Sequence, residues 1–124
     1  MATLDGIMDY IADNVIVEQG TDGDWTYRKW SNGIAECWGR KTGTANITTS
    51  WGQIYFASAF SQSLPTGLFI DVPSIQMLNH SSNSALVMGG SSISKDSFNI
   101  HLVRGTSQSN AAYSIGFYCI GKWK

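Results

Sequence analysis

The residues that could carry out acid–base or metal chemistry are few and widely spaced. The two histidines, His80 and His101, form no ligand spacing with the two cysteines, Cys37 and Cys119, and neither cysteine belongs to a Cys-x-x-Cys motif. Metal sites in proteins need several such ligands in a recognisable pattern. We therefore expect no metal and no cofactor. In a chain made in a cytoplasm, the two cysteines are expected to be separate, buried thiols.

Nucleophilic and glycosidic catalysis have equally little support. The sequence contains no Gly-x-Ser-x-Gly nucleophile elbow. Cleavage of a glycosidic bond uses a pair of carboxyl groups, and from residue 25 onward only three occur: Glu36, Asp71 and Asp96. We expect Glu36 to pair with Arg28, Lys29 or a neighbouring chain rather than to react. The chain is therefore predicted not to be an enzyme.

Residues suited to ligand binding concentrate in three segments rich in Ser, Thr and Asn: 44–51, 79–84 and 105–110. Polar loops of this kind often carry binding functions. Trp51 could stack on a sugar ring, or it could cover the core or an interface. His101 could contact a ligand, or it could be an ordinary strand histidine. The candidate ligand-binding residues are Trp51, Asn79, His80, Asn83, Arg104, Gln108 and Asn110.

Composition and charge exclude two classes of partner. The net charge is -1 and no basic run is present, so the chain has no field that would attract nucleic acid. No apolar run approaches the roughly 20 residues of a membrane span, and no signal peptide is recognisable. Charged residues make up only 14% of the chain, against about 25% in typical soluble domains. A low charge content and many aromatic residues favour β-structure and interfaces.

The first segment differs from the rest of the chain. Residues 1–24 contain six of the nine acidic residues and no Lys or Arg. Leu4, Met8, Ile11 and Val15 follow the spacing of a heptad seam, which is typical of helices packed side by side. We predict an oligomerising helix over residues 1–20. Two heptads are too short to be stable alone, so the helix needs a partner: either its own sheet or further copies of the chain.

From residue 25 the sequence predicts strands and turns. Asn32-Gly33 between two apolar-rich stretches is a hairpin signal, and the return strand is expected over Ile34–Arg40. Further strands are predicted near 45–49, 54–60, 74–78, 85–89, 98–103 and 112–123, with loops at 79–84 and 106–110. The last strand has apolar residues on both faces, which predicts that both faces are covered. The expected fold is mainly β: an antiparallel β-sandwich over residues 24–124 with a short N-terminal helix.

Two stretches carry a more specific signal. Residues 25–39 resemble a block that recurs in phage and prophage tail proteins, with the pattern Trp-x-x-x-Lys-Trp-x-x-Gly-x-x-Glu-x-Trp-Gly. The run from Phe56 to Pro65, followed by 72–75, resembles the next block of the same family, and 97–100 resembles its following strand. The chain then ends in residues 120–124 much as those domains end. The resemblance therefore covers residues 25–124 in the same order.

The resemblance implies a tail-fibre or baseplate distal domain of the H-type-lectin-like β-sandwich family, in the form of a homotrimer. It further implies a virion protein, assembled in the bacterial host cytoplasm, that binds a host cell-surface carbohydrate or other virion proteins. Nucleic-acid binding and membrane insertion are not expected. Two alternatives stay open: a purely structural trimerisation or decoration domain without a ligand, and a hydrolase of cell-wall glycans.

Overall fold

The computed structural model describes residues 15–80 and 86–124, and within this part of the chain the fold is mainly β, as predicted. The ten strands are β1 Ile16–Asp22, β2 Trp25–Trp30, β3 Ile34–Ile47, β4 Thr49–Trp51, β5 Ile54–Phe56, β6 Phe60–Ser63, β7 Ser74–His80, β8 Leu86–Ile93, β9 Ser97–Arg104 and β10 Gln108–Lys122. Every strand pair is antiparallel.

The first sheet has five strands in the order β1-β2-β3-β10-β7. Its centre is the pairing of β3 with β10, which extends from Ile34 opposite Lys122 to Ile47 opposite Gln108. β2 lies on one side of this central pair and β7 on the other. Because the pairing is long and central, it fixes which residues of both strands face the core.

The second sheet is built around β9. β8 pairs along one edge of β9, whereas β5 and β6 pair in succession along the other edge, and β4 pairs with β5. Across the break between β5 and β6 the register shifts, since Phe56 lies opposite Val103 but Phe60 lies opposite Ile100. The strand predicted over 54–60 is therefore interrupted: β5 ends at Phe56, β6 begins at Phe60, and both pair with β9 along the same edge.

The two sheets share one hydrophobic core, as in a β-sandwich. Alternate residues of β9 and β10 are buried, which is the period-two pattern of a strand with one covered face. Phe98 of β9 and Phe117 of β10 meet with ring centroids 5.2 Å apart in an edge-to-face arrangement. Trp25 packs against Phe117 from the same sheet, with centroids 5.8 Å apart. Aromatic contacts therefore join the sheets at the middle of the core.

The predicted hairpin between β2 and β3 is confirmed. Gly33 adopts a φ of 94°, which is readily accessible to glycine, and its amide donates to the carbonyl of Trp30. The side chain of Asn32 accepts a hydrogen bond from the amide of Ile34 at 3.0 Å. The turn chemistry read from the sequence therefore sets the register of the two strands.

The connection between β6 and β7 contributes to the core although its sequence has no regular pattern. Leu64, Leu68 and Phe69 are all buried. The chain turns at 64–67, where the amide of Leu68 donates to the carbonyl of Pro65 and Gly67 has a φ of 67°. A long connection thus closes the core by placing three apolar side chains over it.

The predicted N-terminal helix over residues 1–20 is not supported. Residues 1–14 lie outside the described part of the chain, and residues 15–80 and 86–124 contain no helix. Residues 16–20 belong to strand β1, which pairs with β2. The β-branched residues Val15, Ile16 and Val17 favour this extended conformation. The first sheet therefore begins before the predicted boundary at residue 24.

Other element boundaries also differ from those predicted. The return strand at Ile34 and the short strand at 45–49 are one continuous strand through Ile47, because β3 pairs with β10 over this whole length. Two predicted loops are partly strand, since β7 continues to His80 and β10 begins at Gln108. Residues 81–85 of the first of these loops lie outside the described residues. Backbone pairing overrides the polar composition at these positions.

The last strand is covered on one face only within a single chain. Its inward residues, including Ile115 and Cys119, are fully buried, whereas Tyr118 and Ile120 on the other face are 36% and 40% exposed. The prediction that both faces are covered is therefore wrong for the isolated chain. Within the described residues, no helix is long and apolar enough to span a membrane.

Gly39 lies so close to the backbone of Asp24 that a side chain at this position is expected to lower the stability of the fold. A Cβ added there would lie 2.6 Å from the carbonyl oxygen of Asp24, a backbone atom that cannot rotate away. We expect Gly39→Ala to lower the free energy of unfolding by about 1–3 kcal/mol, because the strands must separate locally. Urea denaturation of the purified protein measures the change.

Gly105 provides the matched control, since a Cβ added there meets no atom within 4 Å. Gly105→Ala is expected to change the free energy of unfolding by less than about 1 kcal/mol. Equal effects of the two substitutions would contradict the proposed clash at Gly39.

Candidate functional site

Six of the seven candidate ligand-binding residues fall within the described part of the chain, and these six lie on strands rather than on open loops. Trp51 ends β4 and is 56% exposed, so it does not cover the core. Its ring meets Phe56 edge-on, with centroids 6.2 Å apart. Trp51 is therefore an accessible aromatic side chain on the second sheet, which agrees with the stacking alternative and not with a core role.

Three further candidate residues lie near the connection between β9 of the second sheet and β10 of the first sheet: Arg104, Gln108 and Asn110. Arg104 ends β9, and its guanidinium donates to the side-chain hydroxyl of Thr106 at 2.6 Å. Gln108 begins β10. The amide of Asn110 donates to the side chain of Asn46 at 2.8 Å, and Asn110 itself has a φ of 51°. These residues hold the ends of the strands together through local hydrogen bonds.

The remaining candidates are placed only in part. Asn79 and His80 form the end of β7, opposite Ile115 and Ser114 of β10. Asn83 lies outside the described residues. His101 faces outward from β9, where its Nδ1 atom lies 2.9 Å from the carbonyl oxygen of Ala57. A hydrogen bond to the main chain is what we expected of an ordinary strand histidine.

A different surface has the geometry of a binding site: the outer face of the first sheet. It contains a hollow of about 530 Å³ between β2, β3, β10 and β7. Aromatic walls and polar groups line this outer hollow: Asp24, Thr26, Trp38, Gly39, Arg40, Gln76, Gly116, Phe117 and Tyr118. A second, shallower depression adjoins it, and Trp38 lines both. The indole of Trp38 is therefore the central feature of this face.

The strand register explains how these side chains meet. Thr26 of β2 lies opposite Trp38 of β3, Trp38 lies opposite Tyr118 of β10, and Tyr118 lies opposite Gln76 of β7. Residues directly opposite one another on the same face of a sheet are close enough to interact. Gly116 is two positions from Tyr118 on the same face and has no side chain, so the hollow opens beside the aromatic pair.

Glu36 organises the polar groups next to the outer hollow. Its carboxylate accepts a hydrogen bond from the hydroxyl of Tyr118 at 2.5 Å and another from the indole nitrogen of Trp30 at 3.2 Å. The guanidinium of Arg28 lies 3.8 Å from the same carboxylate. The predicted pairing of Glu36 with Arg28 is therefore confirmed. A carboxylate with three partners holds their side chains in fixed positions.

Two arginines are held against this face. The guanidinium of Arg28 lies over the ring of Trp38, with 4.9 Å between its central carbon and the ring centroid. Arg40, on the far side of Trp38 along β3, donates to the hydroxyl of Ser114 at 2.7 Å. Arg28 and Arg40 therefore each have a defined partner in the absence of a ligand.

The hydrogen bond to Glu36 changes the acidity of Tyr118. It raises the pKa of Tyr118 to about 12, with loss of hydration and the charge of Glu36 as further causes. Ionised Tyr118 would lose the bond it donates and would face a negative charge. The hydroxyl therefore stays protonated, and the contact between β10 and β3 persists, over the whole physiological range.

The two cysteines are buried thiols, as predicted, but they are not apart. Cys37 of β3 and Cys119 of β10 lie directly opposite each other, and both are fully buried and free. The hydrogen bond with Cys119, together with burial, raises the pKa of the Cys37 thiol. Neither sulfur is a candidate nucleophile, since both side chains are fully buried and out of reach of a substrate.

Comparison with known proteins defines the type of fold. No protein-family model and no curated protein matches the sequence. Among solved structures, the N-truncated R1-type pyocin tail fibre is similar over 98% of this chain and 98% of that chain, with a TM-score of 0.65 and 14% identity. The chain has a tail-fibre fold.

A second solved structure gives the same result. The Pseudomonas aeruginosa R1 pyocin fibre comprising C-terminal residues 323–701 is similar over 98% of this chain, with a TM-score of 0.66 and 14% identity. The alignment covers 32% of that longer fibre fragment, so this chain spans about a third of it. The relationship to H-type-lectin-like domains stays a prediction.

The outer hollow was not predicted, because ligand-binding residues were expected in the polar loops. The signal that could have revealed it is the alternation along β3, where Ala35 and Cys37 are buried and Glu36, Trp38 and Arg40 point the other way. A tryptophan between a carboxylate and an arginine on an outward strand face is unusual for a surface that contacts only water. The partners on β10 and β7 could not be deduced without the register.

The coupling of Tyr118 to Glu36 predicts a pH dependence. Because the pKa of Tyr118 is raised to about 12 from about 10 in unfolded chains, its contribution to stability is complete below pH 10. That contribution is lost as the pH rises from 10 to 12. Absorbance titration at 295 nm is expected to show a tyrosine ionising near pH 12, and Tyr118→Phe is expected to remove it.

Stability measurements give the control for this assignment. Between pH 10 and 12 the urea midpoint of the unmodified protein is expected to fall further than that of Tyr118→Phe. If both proteins lose stability in parallel over this range, the raised pKa does not belong to Tyr118.

Proposed function

We propose that this chain is a domain of a tail fibre, from a bacteriophage or a related particle, that binds a glycan on the surface of the host bacterium. The observation that carries the proposal is the similarity to the R1-type pyocin tail fibre over 98% of both chains. Because one fold can serve several functions, the surface chemistry of the chain supports the ligand-binding part of the proposal. Under this proposal the protein is a virion component.

The composition of the surface supports a receptor-binding role. The outer hollow combines two aromatic side chains, Trp38 and Tyr118, with the polar groups of Asp24, Arg40 and Gln76. Binding sites for small molecules are typically apolar clefts with a few oriented polar groups. Trp38 and Tyr118 lie on β3 and β10, which are each paired with a strand on both sides, and a preorganised site loses less conformational freedom when a ligand binds.

We further propose that the functional form is a homotrimer. Large apolar side chains are exposed on the isolated chain: Ile16, Val17, Trp51, Ile70, Val72, Leu86, Ile93 and Ile120. Exposed apolar surface of this extent favours an interface with other chains.

A structural role without a ligand is the second candidate function, and the same exposed apolar residues favour it. A trimerisation or decoration domain would bury them against other copies or other virion proteins. A glycan hydrolase has less support, because Asp24 is the only carboxylate among the described residues that line the outer hollow. Two suitably spaced carboxyl groups are required for the usual mechanisms of glycoside cleavage.

The trimer predicts a definite mass in solution. Light scattering coupled to size exclusion is expected to give three times the 13.5 kDa of one chain. Burial of the exposed apolar surface favours association over a wide concentration range. A monomer that persists at high concentration would contradict the trimer and would weaken the comparison with fibres.

Receptor binding predicts competition at the host surface. Purified protein added in excess to host cells is expected to reduce adsorption of the intact particle at least tenfold, because it occupies the same receptor. Adsorption of an unrelated particle to the same cells is the control and is expected not to change. If neither is affected while the protein is correctly folded and trimeric, the structural role is supported instead.

A further inference from the structure

The outer hollow and its surroundings carry an inference about the ligand itself, which rests on the proposed glycan-binding function. We propose that the hollow between Trp38 and Tyr118 holds a single uncharged sugar ring, stacked on the indole of Trp38, with Asp24, Arg40 and Gln76 contacting its hydroxyl groups. This places the ligand site on the strands of the first sheet and not at the polar loops.

The shape and chemistry of the hollow match a sugar ring. A volume of about 530 Å³ lies within the range of small-ligand pockets, and it accommodates a hexose with part of a neighbouring ring. A pyranose has apolar C–H faces and a polar rim. Trp38 and Tyr118 provide apolar surface with a polar edge, whereas the other lining side chains supply both hydrogen-bond donors and acceptors.

The charges around the hollow favour an uncharged sugar. Arg28 is 3.8 Å from the carboxylate of Glu36 and rests on Trp38. Arg40 is bonded to Ser114, and the carboxylate of Asp24 lines the same hollow. The two arginines next to the hollow are therefore matched by two acidic residues, Glu36 and Asp24, and the hollow itself has no excess of positive charge. A site for a sulfated or otherwise acidic glycan would instead have an excess of positive charge.

The side chains of the site are positioned before any ligand arrives. Tyr118 is tied to Glu36 and Trp38 lies under Arg28, so the two aromatic walls belong to one connected network. Fixed aromatic rings contribute contact area at a low cost in conformational freedom. The network explains why Glu36 has three partners at the surface, where a solvated carboxylate needs none.

The test uses two variants that alter the hollow by opposite means. Trp38→Ala removes the stacking surface, whereas Gly116→Leu fills the outer hollow with a side chain. The φ of Gly116 is not positive, so the backbone conformation at this position is compatible with leucine. Lys95→Ala is the control, because it removes an exposed side chain at the turn between β8 and β9 of the other sheet. Circular dichroism and light scattering establish that each variant is folded and has the unmodified oligomeric state.

Binding is measured first on an array of purified bacterial capsular and lipopolysaccharide glycans, and then by calorimetry with the glycan that gives the strongest signal. We expect both hollow variants to weaken the Kd at least tenfold and Lys95→Ala to change it less than twofold. The Kd of the unmodified protein is expected to change less than threefold between low and high salt, since an uncharged sugar is not screened.

The outcomes separate this inference from the proposed function. If the unmodified protein binds a glycan and both hollow variants bind it equally well, the glycan-binding function stands and the site is elsewhere. If the unmodified protein binds no glycan, both fail. A strong salt dependence would overturn the uncharged ligand. If Trp38→Ala and Gly116→Leu dissociate the oligomer, this face is an interface between copies, which also overturns the inference. If one of the two hollow variants does not fold, the Kd of the other variant decides between these outcomes.

Discussion

The antiparallel pairing of β3 with β10 is the constraint on which the rest of the structure depends. These two long strands lie at the centre of the first sheet, and their register determines the direction of every side chain on both. The same register puts Cys37 and Cys119 inside the core and Trp38 and Tyr118 on the outer face. A shift by one residue would exchange the two sets.

Part of the fold could be predicted from the sequence because its signals are local. The Asn32-Gly33 turn and the alternation around Phe98 depend only on neighbouring residues, and both predictions are confirmed. The continuity of β3 through Gly43 and the start of β10 at Gln108 depend on pairing between distant segments. Local composition at those positions is polar, and hydrogen bonding to the partner strand outweighs it.

The candidate site was predictable to a smaller extent, for a related reason. The pairing of Arg28 with Glu36 follows from their places in one hairpin, and the sequence analysis anticipated it. Tyr118 is 82 residues away from Glu36 along the chain, and only the sheet order brings them together. The sequence analysis looked for ligand contacts among polar loop residues. The hollow in which aromatic and charged residues meet lies instead on the outward face of the first sheet.

The thiol pair between β3 and β10 has a consequence for durability outside a cell. Both cysteines of the chain are inaccessible to solvent, and the hydrogen bond with Cys119, together with burial, raises the pKa of the Cys37 thiol. An oxidant or a disulfide in the solvent therefore reaches neither sulfur, and copies of the folded chain do not become cross-linked through cysteine. The state of assembly is thereby uncoupled from the redox potential of the surroundings.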